Sequence, residues 1–429
     1  MEMLESAVVR DELVIAGLGL RLVFAGSPEA PYFRVLGEDA GDAAASPLYQ
    51  REALAWLQRR GRVATAGGGH IVFDSPLALE RATVLQRDAG GSSNCVTRIA
   101  VDGAVAMHKV YRRLSEHNHE LAATRALDGA AGAVRCLGGY RYERADGAVF
   151  ALGLLTEYVE GEGVYAPLSR DIRAFWTGEG GPSPALLDTL GGWGAFLEGL
   201  HAALAARFLP SAAPAFDMRA WRDTMRARID WILPRVLDDA ALEPARARRL
   251  AGLLARLDGV AADAPPPPAA VCHGDLHLSH LLREPGGARR VIDLSPPALD
   301  PAAPAFRSGT TLCDWVALER ALDYVFLDEA ALALSGPGRE EQEATMAGLH
   351  APAGPEQARR LAAGLRWHAA VRAALCGRHL GHPAWAPLYL GRLLQELEYN
   401  YRHRRPYYRC IDWFFLERHF SCLGSYCGE

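Results

Sequence analysis

The order of strand-like and helix-like patterns constrains the fold of this chain more than any other feature of the sequence. Short runs of alternating apolar residues dominate the first 160 residues, whereas long amphipathic segments dominate from about residue 185 onwards. Inside the helical part, the tetraproline Pro265–Pro268 leads into a strand–loop–strand segment, AAVCHGDLHLSHLLREPGGARRVIDLS. This order predicts an α+β protein with a sheet-rich part followed by a helical part.

The chain has 429 residues, which is too long for one compact core. We predict a small α+β cap domain at residues 1–88, a strand-rich lobe at 89–160 and a mostly helical lobe at 161–429 that holds a polar loop at 271–295. In the strand-rich lobe, Asp102-Gly103 predicts a hairpin turn before the strand AVAMHKVY. A helix over residues 115–130 follows, with Ser115 as its predicted N-cap.

Charge and hydropathy exclude several classes of partner. The formal net charge is -5, from 46 basic and 51 acidic residues, which gives no electrostatic reason to expect nucleic acid or an anionic membrane. No apolar run approaches the ~18–20 residues of a membrane-spanning helix. The N-terminus, MEMLESAVVRDELV, lacks the basic start of a signal peptide. The sequence therefore predicts a cytoplasmic protein with neither a nucleic-acid nor a membrane partner.

Lys109 is the only lysine in the chain, and the other 45 basic residues are arginines. Arginine suits planar, bidentate contacts, whereas lysine is a compact point charge on a flexible stem. A single lysine among so many arginines indicates a site that a guanidinium does not fit.

The segments His273-Gly274-Asp275-Leu276-His277 and Val291-Ile292-Asp293 carry the clearest chemical signal. Phosphoryl transfer requires one carboxylate that orients and deprotonates the attacking hydroxyl, and a second that holds Mg²⁺ on the phosphates. Asp275 and Asp293 adjoin two strand-like runs, so their loops are expected to converge. The alternative is a hairpin with incidental surface acids, but two histidines and an aspartate within five residues rarely serve only as a surface.

These motifs resemble those of the aminoglycoside-phosphotransferase-like kinases, in particular the maltokinase and actinobacterial glucosamine-kinase branch. HGDLHLSH and IDLSPP correspond to the family's catalytic loop and metal-binding segment, and FLEGLHAAL, which includes His201, corresponds to its LAxLH-like helix. The resemblance covers roughly residues 90–320. It implies a two-lobed, protein-kinase-like fold with an extra N-terminal domain, and an ATP-dependent small-molecule kinase with an alcohol group as acceptor.

The resemblance also implies a role for each matching residue. Asp275 would be the catalytic base and Asp293 a metal ligand, while Lys109 would contact the α- and β-phosphates and pair with Glu120. A loop would close over the phosphates, and a hinge after the last strand would meet the adenine. The residues implied for that loop and hinge are Ser92, Ser93, Asn94, Glu157 and Val159.

Two positions depart from the family pattern. His280 stands where the family has an asparagine or glutamine metal ligand, and Ser295 stands where it has a second acid. Mg²⁺ prefers hard oxygen ligands, so His280 would act through water or favour Mn²⁺. Asp300 is a candidate replacement for the missing acid.

Three functions remain open at this stage. The first is a sugar or aminosugar kinase in carbohydrate metabolism. The second is an antibiotic-modifying phosphotransferase, acting in resistance or in natural-product biosynthesis, whose cationic acceptors need an acidic pocket. The third is a nucleotide-binding pseudokinase, which only His280 and Ser295 favour, whereas Lys109, Asp275 and Asp293 oppose it. The acidic pocket of the antibiotic-modifying alternative would be formed by Asp314, Glu319, Glu396 and Glu398.

Overall fold

The computed structural model describes residues 8–27, 30–39, 41–87, 94–178, 180–238, 244–263, 265–335, 338–350, 352 and 354–426. Its contacts divide the chain into two compact units. The first comprises residues 1–160 together with 290–297, and the second comprises 161–289 together with 298–429.

A small antiparallel sheet opens the first unit. Its strands are β1 (Val9–Ile15), β2 (Leu20–Ser27) and β3 (Ala30–Leu36), and they pair in chain order. Along β1, the second half alternates between buried and more exposed residues, as expected for a strand with one face on the core. The buried face contributes Leu13 and Ile15 to that core.

A larger antiparallel sheet follows, built within the described residues from β4 (Arg62–Ala64), β5 (His70–Asp74), β6 (Thr83–Arg87), β7 (Asn94–Val101), β8 (Ala104–Tyr111), β9 (Cys136–Glu143) and β10 (Val149–Glu157). The spatial order is β4-β5-β9-β10-β8-β7-β6. The predicted turn at Asp102-Gly103 is confirmed, because β7 and β8 pair from Val101 and Ala104 outwards and both turn residues have positive φ. The sheet takes strands from both sides of residue 88, and the predicted domain boundaries stay predictions.

Two helices in the described part of this unit accompany the sheets. The first, α1 (Leu54–Arg60), continues from a π-helical turn at Leu48–Ala53, and the second is α2 (Glu120–Leu127). Single 3₁₀ turns lie at Ala16–Leu18, Leu79–Arg81 and Ala130–Gly132. One hydrophobic core joins both sheets and α1, with Phe24, Leu57 and Ile99 among its buried members. Because this core is continuous, the small sheet and the large sheet stabilise one another.

Helices dominate the second unit. Those in its described residues are α3 (Tyr165–Thr177), α4 (Pro184–Phe208), α5 (Met218–Asp238), α6 (Pro244–Asp263), α7 (Thr311–Ser335), α8 (Arg339–His350), α9 (Pro355–Cys376), α10 (Trp385–Arg402) and α11 (Pro406–Tyr426). None of these is long and apolar enough to cross a membrane. Ser183 caps α4 by accepting from the Leu186 N–H at 3.2 Å, with Pro184 at the first helical position.

Short strands flank the predicted polar loop. In the second unit, β11 (Glu162–Gly163) pairs antiparallel with β12 (Leu281–Arg283), and a 3₁₀ turn at Leu278–His280 precedes β12. The chain passes into the first unit along the next strand, β13 (Arg289–Val291). Another two 3₁₀ turns lie at Pro304–Ser308 and Gly377–Gly381. The predicted α+β class is confirmed, with a sheet-rich unit first and a helical unit after it.

Candidate active site

One charged cluster lies in the sheet-rich unit, around the single lysine of the chain. Lys109 is on β8, between β7 and β10 in the large sheet. Its Nζ donates to both carboxylate oxygens of Glu120, at 3.1 and 2.8 Å, and to Oδ1 of Asp293 at 3.2 Å. The fold therefore brings together three residues that the sequence analysis assigned to nucleotide and metal binding.

The surroundings of Lys109 keep its amine protonated. The Lys109 side chain is 16% exposed and that of Glu120 is 5% exposed. Burial alone would lower the pKa of Lys109, but the carboxylates of Glu120 and Asp293 outweigh burial and raise this pKa above its usual value. The ammonium is thus a fixed positive charge at neutral pH, which suits contact with phosphate oxygens.

Asp293 has an unusual backbone. Its φ of 60° lies in the left-handed region, which residues other than glycine seldom adopt. Such a conformation costs on the order of 1–3 kcal/mol and is found most often at functional sites. The side chain is 42% exposed, so a carboxylate that the backbone directs towards Lys109 also remains open to solvent.

The helix that carries Glu120 begins later than predicted. It starts at Glu120 itself, whose N–H donates to Oδ1 of Asn118 at 3.2 Å. The prediction of Ser115 as N-cap is wrong, because its hydroxyl accepts from the His117 N–H in the preceding turn. Two polar side chains in that turn, those of Ser115 and Asn118, accept from backbone N–H groups, and end-of-helix sequence patterns do not resolve which of them lies next to the helix.

Tyr111 is a member of the cluster that the sequence analysis missed. Its buried hydroxyl donates to Oε2 of Glu120 at 2.7 Å. A signal was available, since Tyr111 follows Lys109 by two residues on a strand and so lies on the same face.

The structure does not test the roles of the other residues predicted to bind nucleotide. Ser92 and Ser93 lie outside the described residues, and Asn94 is the first residue of β7. Glu157 ends β10, where its carboxylate accepts from the Arg135 N–H at 2.8 Å and pairs with Arg290. Val159 is buried just beyond the strand. The loop and hinge roles of these residues stay predictions.

The second charged region is the loop around Asp275, in the helical unit. The loop turns at Gly274, whose φ of 90° only glycine adopts readily. The Asp275 side chain is 59% exposed, so the predicted base is open to solvent.

Asp314, at the start of α7, holds the backbone of this loop. Its Oδ2 accepts from the His273 N–H at 2.6 Å, and its Oδ1 accepts from the Gly274 N–H at 3.0 Å. Nε2 of His201 lies 2.9 Å from Oδ2. Burial would raise the pKa of Asp314, but the hydrogen bonds from His201 and from the loop outweigh burial and lower it. Asp314 is thus an ionised anchor for the loop.

The four acids predicted to bind a cationic acceptor already have partners. Asp314 is 1% exposed and its oxygens serve the loop, so an acceptor has little access to it. The other three carboxylates each pair with arginine, and their role in substrate binding stays a prediction that this pairing weakens. The pairs are Glu319 with Arg372, Glu396 with Arg320 and Arg392, and Glu398 with Arg228 and Arg402.

The residues present fit Mg²⁺ at Asp293 better than at His280. Nδ1 of His280 donates to the Asp275 carbonyl at 2.9 Å, and its ring lies against His273 and His277, with centroids 5.5 and 3.5 Å away. An imidazole nitrogen is also a softer donor than Mg²⁺ prefers, so His280 suits the ion poorly. Asp293 offers a partly exposed carboxylate, which suits an ion that is bound by one or two carboxylates and by substrate phosphates.

Known proteins share both sequence pattern and fold with this chain. The model of a family described as "Phosphotransferase enzyme family" matches residues 84–303. A solved structure titled glucosamine kinase in complex with glucosamine, ADP and inorganic phosphate is 20% identical, with a TM-score of 0.64 over 99% of this chain and 98% of that chain. Another solved structure, titled glucosamine kinase (crystal form A), is 20% identical, with a TM-score of 0.62 over 98% of this chain and 95% of that chain. No curated protein matches the sequence. At this identity the likeness shows the fold, and the predicted protein-kinase-like fold is confirmed.

Proposed function

We propose that this chain, which belongs to the phosphotransferase enzyme family, transfers the γ-phosphoryl group of ATP to a hydroxyl of a sugar or aminosugar. The family was predicted from the sequence and is confirmed. Membership makes the chain an enzyme that phosphorylates a small-molecule alcohol. ATP as the donor, the class of acceptor and the residue roles are the content of the proposal. Dependence on ATP agrees with the cytoplasmic location predicted from the sequence.

The cluster of Lys109, Glu120 and Asp293 carries this proposal. A protonated amine fixed by two carboxylates is a prepared contact for a triphosphate, and nothing in the packing of a sheet calls for a buried lysine there. The cluster also speaks against the pseudokinase alternative, because three residues proposed to bind the nucleotide and the metal are in contact with one another.

In the proposed reaction, Asp275 accepts the proton of the acceptor hydroxyl as its oxygen attacks the γ-phosphorus. A new oxygen–phosphorus bond forms, the bond to the β–γ bridging oxygen breaks, and the electron pair leaves with ADP. Lys109 holds the α- and β-phosphates, and Glu120 holds Lys109. Asp293 would hold Mg²⁺, which neutralises developing charge on the phosphates when it is bound.

The acceptor rests on the motifs HGDLHLSH and IDLSPP, which resemble the sugar and aminosugar kinases. The structural likeness to a glucosamine kinase is a likeness of fold, and function in such folds depends on the site. Pairing of the four candidate acids with arginine or with the loop speaks against an antibiotic with several positive charges. The proposal therefore favours a sugar over an aminoglycoside.

A panel of acceptors tests the proposal. The purified chain would be incubated with ATP, Mg²⁺ and single sugars, aminosugars or aminoglycosides, and phosphorylated products would be detected by mass spectrometry. We expect transfer to at least one sugar or aminosugar, and none by Asp275→Asn. Transfer to aminoglycosides alone would establish the antibiotic alternative. Tight ATP binding without transfer to any acceptor would favour the pseudokinase.

A further inference from the structure

Arg392, on α10, is the charged side chain that reaches the proposed base. Its Nη2 lies 3.7 Å from Oδ1 of Asp275, and its own side chain is 23% exposed. Among the residues that the structure describes, no other side chain is paired with the Asp275 carboxylate. At 3.7 Å the contact is an ion pair rather than a hydrogen bond, so it acts through charge.

Glu396 fixes the guanidinium of Arg392. It lies one helical turn further along α10, and its Oε1 accepts from Nε of Arg392 at 2.8 Å. A pair spaced in this way lies on one face of the helix. The other oxygen, Oε2, accepts from Nε of Arg320 at 2.9 Å. One carboxylate therefore joins two arginines.

Arg320, on α7, anchors this chain of charges in the core. It is fully buried, and besides Glu396 it donates to Oδ2 of Asp323 at 2.6 Å and to Oδ1 of Asp412 at 2.8 Å. Three carboxylates around one planar guanidinium leave it a single orientation. The chain of charges thus runs from the interface of α7 and α11 to the loop that carries Asp275.

The loop needs such a contact because its backbone and its reactive side chain are held differently. Asp314 and His280 hold the backbone at Gly274 and Asp275, whereas the Asp275 carboxylate is more than half exposed. An exposed carboxylate rotates among several directions, and a base in the wrong direction does not reach the hydroxyl proton.

We propose that Arg392 is a positioning residue that holds the Asp275 carboxylate in its catalytic direction. Glu396 and Arg320 in turn hold Arg392. The inference rests on the proposed function, since it requires Asp275 to act as the base. It also gives Glu396, which the sequence analysis assigned to acceptor binding, a role through Arg392.

Steady-state kinetics of Arg392→Gln test the proposal, with the best acceptor found in the panel. We expect kcat to fall on the order of 10-fold, less than the ~10²-fold that a 1 Å misplacement costs, because the loop backbone remains anchored. KM for ATP and for the acceptor should stay unchanged. Arg392→Lys keeps the charge and should restore most of the lost kcat, which a purely structural defect would not show.

Glu396→Gln provides a second test that does not remove Arg392. It should lower kcat less than Arg392→Gln does, and the double variant should be no slower than Arg392→Gln alone, because both changes act on one chain of contacts. If the losses in kcat of the two single variants add up in the double variant, Glu396 does not act through Arg392 and the proposed series of contacts is wrong. Arg402→Gln is the matched control, since Arg402 also pairs with a glutamate one turn away on α10. An equal loss in this control would overturn the special role of Arg392.

The remaining outcomes separate this inference from the proposed function. An unchanged kcat in Arg392→Gln, beside an inactive Asp275→Asn, would overturn the inference alone. A raised KM for the acceptor with intact kcat would make Arg392 an acceptor-binding residue instead. Full activity of Asp275→Asn would overturn the proposed base and the inference with it. If Arg392→Gln does not fold, kcat of Arg392→Lys and of Glu396→Gln is compared with that of wild type. A lowered kcat in Glu396→Gln beside a nearly normal one in Arg392→Lys supports the inference, and an unchanged kcat in Glu396→Gln overturns it.

Discussion

The two charged regions of the molecule hold their key residues in opposite ways. Around Lys109 the side chains themselves are fixed, because a mostly buried ammonium donates to two carboxylates and Tyr111 donates to one of them. Around Asp275 the backbone is fixed, through the buried carboxylate of Asp314, while the reactive carboxylate stays exposed.

The difference follows from what each region is proposed to do. A phosphate contact works best when its charge is in place before the nucleotide arrives, because no reorganisation is then needed. A base must instead remain accessible to a hydroxyl that enters from solvent. Substitutions in the lysine cluster should therefore change nucleotide handling, whereas substitutions in the loop should change chemistry with little effect on nucleotide affinity.

Asp275→Asn should have the largest effect. It removes the proton acceptor but keeps the size and position of the side chain, so kcat should fall about 10²–10⁴-fold, the contribution of a general base. Nucleotide affinity, measured by calorimetric titration, should change little. More than a tenth of wild-type turnover would show that a group other than Asp275 takes the proton, and that the loop does not carry the chemical step.

Lys109→Arg should rank second. The charge is kept, but a planar guanidinium is larger than the ammonium that contacts Glu120 and Asp293 and should displace the phosphates by about 1 Å, which costs on the order of 10²-fold in kcat/KM. Arg125→Lys on α2 is the control, because Arg125 is 43% exposed and its conservative exchange should leave activity unchanged.

Labelling with an amine-reactive ATP analogue checks the same site independently. Lys109 is the only lysine, so the one other amine is the N-terminus, and mass spectrometry of the labelled peptide separates the two. ATP should protect Lys109. Equal labelling with and without saturating ATP would place Lys109 outside the nucleotide site.

The sequence predicted the central residues of the two charged regions, Lys109 and Asp275, better than it predicted the residues that hold the loop around Asp275. Lys109 was found because it is unique, and Asp275 because its neighbours form a short motif. Asp314 and Arg392 were not recognised as supports of the loop, since each is 40 or more positions away from its contact in the sequence and neither stands out among many acids and arginines. Such contacts depend on helix packing, which local patterns do not encode.

Asp314→Asn tests whether the loop depends on its buried anchor. An amide accepts through one atom only, so one of the backbone N–H groups of His273 and Gly274 would lose its partner, at a cost of about 1–3 kcal/mol in the free energy of unfolding. Thermal melting should show this loss, and kcat/KM should fall less than it does in Lys109→Arg. An unchanged melting temperature and kcat would mean that the loop keeps its form without the anchor.

The same variant should change the dependence of stability on pH. Because the pKa of Asp314 is lowered in the folded protein, its contribution is present above the ordinary aspartate pKa, about 3.9, and is lost as the pH falls through the lower, folded value. The difference in stability between wild type and Asp314→Asn should therefore shrink in acid. A constant difference from pH 7 to pH 3 would contradict an ionised anchor.

His280→Asn should have the smallest effect, and it tests whether activity with Mg²⁺ requires the imidazole of His280. An asparagine amide can replace Nδ1 of His280 as donor to the Asp275 carbonyl, and it adds a hard oxygen of the kind Mg²⁺ prefers. Activity with Mg²⁺ should be preserved or increased, while the lost ring contacts with His273 and His277 cost about 0.5–1.5 kcal/mol of stability. His280→Leu, which lacks the donor, should lower kcat and serves as the control. Loss of activity in both His280→Asn and His280→Gln, with normal thermal melting, would show that the imidazole itself acts in the reaction.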